Sequence, residues 1–133
     1  SLSSLSNLED LSLDFNEIGD ISPLADLTRI TDLKLVQNNI SDISPLSDLI
    51  GLEFLLLNDN QIVDISSLSD LTNLRFLGLC NNQISDLEPL ADNAGLSSGD
   101  EVFVQGNPLS KDSINEYIPE LEGRDVLIEY EAK

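Results

Sequence analysis

Cys80 is the single thiol of the 133-residue chain and the residue whose type most readily suggests catalysis. A cysteine nucleophile needs a base or a cation to hold it as thiolate, yet the sequence contains no histidine, and the charges around Cys80 are mostly negative. Carboxylates are the other chemical group in excess, with 25 acidic residues against 6 basic ones and a formal charge of -19. A pair of them divides into acid and base only where burial separates their proton affinities, and solvated positions do not supply that. The glycines form no phosphate-cradling pattern. The chain is therefore read as a non-enzyme, with no catalytic residue, cofactor or metal site expected.

The acids are not scattered. Asp20, Asp42, Asp64 and Asp86 follow one another at steps of 22 residues, and so do Asp26, Asp48, Asp70 and Asp92. Like charges about 5 Å apart in water repel by roughly 0.8 kcal/mol, so something must offset the repulsion. Capping of short turns would do so, at about 0.5–2 kcal/mol each. A calcium ion bridging neighbouring carboxylates is the other reading, but the spacing in "DISPLAD" matches no calcium loop, and caps and solubility are preferred.

The sign of the net charge is wrong for holding nucleic acid or anionic lipid. No apolar run approaches the roughly 18–20 residues that span a bilayer, so no membrane insertion is expected. One free thiol leaves no internal disulfide.

What positions the acids is a repeat. Leu5, Leu27, Leu49 and Leu71 are 22 residues apart, and Leu8, Ile30, Leu52, Leu74 and Leu96 keep the same step. So do the columns through Leu11 to Leu77, Leu13 to Leu79, Ile18 to Ile84, Ile21 to Leu87 and Leu24 to Leu90, together with a polar column of Asn16, Asn38, Asn60 and Asn82. A unit this small cannot bury its own apolar face and must cover it with the same face of its neighbour. The "LxL" segments predict short strands, necessarily parallel and about 4.8 Å apart. An inward asparagine on each coil can satisfy peptide groups where the chain leaves the strand. In "DISPL" the aspartate is placed to cap a helical turn and the proline to occupy its opening.

With those columns in place, "LTNLRFLGLCNNQISDLEPLAD" at 71–92 resembles a leucine-rich repeat of the 22-residue class found in bacterial internalins and in a eukaryotic phosphatase regulator. The motif recurs over residues 5–92, with Ser67 standing where Pro23, Pro45 and Pro89 stand, and Phe15 replacing the usual polar residue before Asn16. The resemblance implies an α/β repeat: a right-handed leucine-rich-repeat solenoid with a parallel concave sheet, short convex helical turns and a C-terminal helix–strand cap. It also implies a protein ligand and a secreted or cell-surface setting.

The chain is read as one domain, with an irregular fifth repeat at 93–109 and a cap at 110–133. Val102, Val104, Asn107 and Leu109 arrive three residues late, which places a bulge within "SSGDE". The cap offers Ser110 or Ser113 as N-cap, an apolar face of Ile114, Ile118 and Leu121, a kink at Pro119, Gly123 as a stop and "DVLIEY" as a last strand. Ser1 and Leu2 align with Pro23 and Leu24, so an N-terminal cap is expected to be absent and the chain to be part of a longer array.

Side chains that alternate with the core leucines line the concave face. The first column is Asp10, Asp32, Phe54, Phe76 and Glu101; the second Ser12, Lys34, Leu56, Gly78 and Phe103; the third Asp14, Val36, Asn58, Cys80 and Gln105. Phe54, Leu56, Phe76 and Phe103 are predicted to form an outward apolar patch for a protein ligand, with Val36, Asn58 and Cys80 beside it and Asp10, Asp14, Asp32 and Lys34 providing electrostatic selection. The alternatives are a homodimer closed by the patch, a structural spacer within a longer bacterial surface protein, and rings that only stack to support the sheet.

Overall fold

The computed structural model describes residues 7–131. Ser1, Leu2 and Leu5, which enter the repeat pattern, lie outside them, as do residues 132–133 of the cap. Six three-residue strands, β1 (Asp10–Ser12), β2 (Asp32–Lys34), β3 (Phe54–Leu56), β4 (Phe76–Gly78), β5 (Glu101–Phe103) and β6 (Leu127–Glu129), pair in chain order. Every pairing is parallel and in register, so that Leu11, Leu33, Leu55, Leu77, Val102 and Ile128 stand in one row. From Ile21 to Val104 the core columns are closed to solvent, whereas Leu8, Leu11, Leu13 and Ile18 of the first coil, and Leu109 at the last, are only partly covered. Stacking accounts for the contrast, since an inner coil is covered from both sides.

Opposite the sheet, 3-10 turns at Ser22–Asp26, Ser44–Leu46 and Ser66–Leu68, and the short helix α1 (Glu88–Ala91), return the chain. Asp20, Asp42 and Asp64 each accept the backbone N–H of the serine two residues on, at 2.8–2.9 Å, and Asp86 accepts that of Glu88 at 2.9 Å. The carboxylate thus sits one residue ahead of the N-cap and closes an Asx turn. Ser67 in place of proline leaves this unchanged. The second acidic column does not cap: Asp26 and Asp92 fall at the ends of their turns, where exposed carbonyls disfavour a carboxylate.

Those hydrogen bonds, the backbone one largest, hold the carboxyls of Asp20, Asp42 and Asp64 below their ordinary value of 3.8. A depressed folded-state pKa contributes stability that is full above the unfolded value and is lost as pH falls through the folded one. Acid destabilisation from these sites is therefore confined to pH below about 4. Urea midpoints from pH 2 to 7 should show the acid limb flattened in the Asp20→Asn, Asp42→Asn, Asp64→Asn variant, because asparagine accepts the same amide without titrating. An unchanged limb would refute that assignment.

Asparagines link the coils on the inner side of each strand exit. Asn60 donates from Nδ2 to the Leu57 carbonyl of its own coil at 3.0 Å and to the Leu35 carbonyl of the preceding coil at 2.9 Å, while its Oδ1 accepts Ile40 N–H at 3.0 Å. Asn38, Asn82 and Asn107 repeat the arrangement. The residue before each asparagine is left-handed: Phe15 (φ 61), Gln37 (φ 58), Asp59 (φ 60), Asn81 (φ 60) and Gly106 (φ 78). A phenylalanine there carries backbone strain of about 1–2 kcal/mol that asparagine largely escapes. Phe15 is also 70% exposed, so little packing offsets the strain. Phe15→Asn should raise stability by about 0.5–1 kcal/mol in chemical denaturation; a loss would show that the ring makes a contact it needs.

The three extra residues of the fifth coil lie before β5, where Ser97 and Asp100 close a tight turn through Ser97 N–H to Asp100 Oδ2 (2.9 Å) and Asp100 N–H to the Ser97 carbonyl (3.1 Å), with Gly99 at φ 90. The expected bulge is there and leaves strand register intact. The cap helix opens with Ser110, whose Oγ accepts Ser113 N–H at 3.1 Å. Ser113 is buried and does different work: it donates to the Ser85 carbonyl (2.8 Å) and accepts Leu87 N–H (2.9 Å), tying the cap to the fourth coil. The kink expected at Pro119 takes the form of a π-helical turn at Ser113–Tyr117, followed by α2 (Ile118–Gly123). Proline lacks the N–H of a regular turn and crowds the carbonyl four residues back, and widening relieves both. The helix ends at Gly123 as expected, but Gly123 is not the left-handed residue. Asp125 adopts φ 63, and Asp125 N–H to Glu122 and Val126 N–H to Leu121 end the helix in a Schellman arrangement.

Candidate functional site: the concave face

The parallel pairings set Asp10, Asp32, Lys34, Phe54, Leu56, Phe76 and Phe103, seven of the eleven predicted residues, in rows facing away from the core. Asp14, Val36, Asn58 and Cys80 follow just after the strands, where backbone hydrogen bonds still run from coil to coil. Leu55 and Leu77 point into the core, so Phe54 and Phe76 must face the other way; their rings stack with centroids 4.8 Å apart and planes 12° from parallel. Phe103, one row over on the next coil, tilts at 38° with its centroid 5.2 Å from Phe76. At the other end Lys34 Nζ lies 5.7 Å from the Phe54 centroid, within cation–π reach. The rings are half-buried by one another, so the patch is less exposed than alternation alone implies. Of the exposed large apolar side chains, Phe15, Ile50 and Val63 lie off the strands, whereas Leu127 stands on β6 in register with Glu101, at the end of the column that holds Phe54 and Phe76.

Gly78 gives the face its relief. A Cβ there would stand 2.8 Å from Leu56 Cδ2 and 2.9 Å from Asn58 Nδ2, so these side chains occupy the space a larger residue would fill. An open trough of about 610 Å³ lies on this face, and its walls include Phe54, Leu56, Phe76, Cys80, Phe103 and Glu131. A second hollow, about 520 Å³, lies against Thr72, Arg75, Gly95 and Asp100, and its walls carry no aromatic ring. The trough is the better candidate, because buried rings anchor partners and polar backbone does not.

The side chains of four members of the third column, Asp14, Asn58, Cys80 and Gln105, are engaged within the chain. Asp14 Oδ1 accepts Val36 N–H at 2.6 Å and Asn58 Oδ1 accepts Cys80 N–H at 2.7 Å, so both side chains stitch coil to coil and are less free for a partner than their positions imply. The Cys80 thiol donates to Gln105 Oε1 at 3.1 Å, and burial pushes its pKa up, away from the thiolate. Among the described residues no group of three or more His, Cys, Asp or Glu is arranged to hold a metal ion.

Sequence reasoning missed the last row. β6 pairs with β5 and adds Leu127 and Glu129 in register with Glu101 and Phe103, while Glu131 reaches the trough. Alternation about the buried Ile128 would have assigned them had "DVLIEY" been aligned to the repeat.

A curved parallel sheet of three-residue strands, an asparagine on each strand exit and short helical turns behind define a leucine-rich-repeat solenoid. Residues 50–92 match the family described as Leucine Rich repeats (2 copies). The whole described fold is similar to an internalin (inlF) of Listeria monocytogenes, at 35% identity and a TM-score of 0.86 over 98% of this chain and 38% of that one. It is similar also to internalin C2 of the same organism, at 30% identity and TM-score 0.83 over 98% of this chain and 54% of that one. The chain is an internalin-like leucine-rich-repeat protein. A leucine-rich-repeat protein of Leptospira interrogans shares the fold at 21% identity, TM-score 0.72, over 96% of this chain and 38% of its own. The chain thus spans about two fifths and about half of the two internalins. No curated protein matches it significantly.

Proposed function

We propose that the chain is a protein-interaction module whose concave face recognises a protein ligand, with Phe54, Leu56, Phe76 and Phe103 as anchors and Asp10, Asp32 and Lys34 as flanking selectors. The observation that carries this reading is the ring stack in an open trough on a sheet held rigid by coil-to-coil hydrogen bonds. Rings fixed by their neighbours lose little freedom on binding, and the sheet has no reason to rearrange. The likeness to internalins supports protein partners, and nothing in the face calls for catalysis.

Affinity capture compares the parent chain with a Phe54→Ser, Leu56→Lys variant. The variant should fold, less stable by about 1–2 kcal/mol from the lost stacking, and release the partner the parent retains. Equal retention by both would move the site off this face; empty captures from both would favour the spacer. Closure of the patch by a second copy predicts a molar mass that rises with concentration, and a constant monomer mass removes it.

A further inference from the structure

Charge and shape together narrow the occupant of the trough. Along its length, β1 to β6, a partner crosses five steps of about 4.8 Å, about 24 Å in all, meeting acids, then rings, then acids with the exposed Leu127 among them. The face carries Asp10 and Asp32 at one end and Glu101, Glu129 and Glu131 at the other, with Lys34 as its one basic side chain among the strand residues. Lys34 shows what the stack accepts, since its ammonium sits over the outer face of the ring row at Phe54. The opposite end of the row, Phe103, pairs in register with Glu129 and shares the trough with Glu131, so the same preference for a cation is reinforced there with no lysine of the chain's own in the row.

Resting on the concave-face reading, we propose that the ligand is a cationic polypeptide segment that sets an arginine or lysine against Phe103 beside Glu129 and Glu131, with an apolar neighbour over Phe54 and Phe76. The carboxylates draw the segment in and fix its direction, and the rings supply the desolvated contact that holds it. Acidic or purely apolar segments meet the repulsion or the unmatched charge instead.

The probes are four short synthetic peptides of equal length: alternating arginine and leucine, and the same with arginine changed to glutamine, arginine to glutamate, or leucine to serine. Calorimetry gives affinity, and amide shifts of the labelled chain give location. The arginine–leucine peptide should bind at least about tenfold more tightly than the glutamine one, weaken from about 50 to about 300 mM salt, and shift Phe76, Phe103, Gln105 and Glu129. A Glu129→Gln, Glu131→Gln variant should lose about fivefold, and the leucine-to-serine peptide should bind more weakly than its parent. Equal or tighter binding of the glutamine or glutamate peptide in the trough would overturn the cationic assignment and leave the concave reading standing. Shifts confined to the convex acids Asp26, Asp48 and Asp70 would overturn both.

Discussion

Replacing Asn60 by leucine should cost about 3–5 kcal/mol in urea unfolding, although the substitution adds apolar volume to an apolar interior. Asn60 is 8% exposed and satisfies the carbonyls of Leu35 and Leu57 and the N–H of Ile40, groups on two different coils. Leucine answers none of them, and each buried peptide group left without a partner costs about 1–3 kcal/mol. The same change at Asn16 is the control. That residue is exposed and, among the described residues, bonds only the Leu13 and Asp14 carbonyls of its own coil, at 2.7 and 3.1 Å, so Asn16→Leu should cost under about 1 kcal/mol. Equal costs at the two positions would mean that the column acts through its own turn and not between coils.

The second large effect is expected at Gly95. A Cβ there would stand 2.0 Å from the Thr72 carbonyl oxygen and 2.6 Å from its carbon, a collision with backbone and not with a movable side chain. Neither side can yield easily. Gly95 N–H is held by Asn93 Oδ1, and the buried Asn93 donates to the carbonyls of Leu68 and Leu71 at 2.9 and 3.0 Å. Arg124 of the cap closes the junction from behind by donating to the Asn93 and Ala91 carbonyls. Gly95→Ala should therefore cost about 3 kcal/mol or more. Faster amide exchange in β5 and β6 than in β2 and β3 would locate the damage. Gly123→Ala, with open space around the new methyl and a helical backbone, should be neutral or stabilising by about 0.5–1 kcal/mol. A Gly95→Ala protein as stable as the parent would show that the fifth coil is free to shift away from Thr72.

The reasons some of this was legible in the sequence and some was not are physical. A strict period of 22 leaves one way to stack the leucines, and alternation then fixes which residues face outward, so the core, the register and the rows of the concave face could be written down. Stacking of Phe54 on Phe76 could be anticipated from their shared column, but its geometry and the other side-chain contacts could not. Alternation turns Phe54 and Phe76 outward but does not tell how closely their rings stack, nor that Leu56 and Asn58 lie over Gly78. The two acidic columns looked alike by spacing, and only their positions relative to the turn separate the one that accepts amides from the one that does not. The left-handed column was hidden because its members are mostly not glycine. Asn93 occupies the position of Leu27, Leu49 and Leu71, and that exchange of leucine for asparagine was the available sign that the fifth coil meets its predecessor through hydrogen bonds. Asp125, not Gly123, is the left-handed residue at the end of the cap helix for a similar reason: a short polar side chain tolerates the left-handed turn, and composition alone favours the glycine.

Each three-residue strand devotes its middle residue to the interior and its outer two to the open face. The demands on the two sets are separate, so descent with modification can rewrite the outward pair on one coil while the inward residue stays as it was. Duplication or loss of a whole unit slides every later outward residue by one coil, about 4.8 Å, and disturbs no inward contact beyond the join. The three-residue insertion before β5 shows the limit of that freedom, since a length change is accommodated where the chain runs between coils and outside the strand. A chain built on this frame can therefore change the chemistry of its open face at a few columns, with the architecture left intact.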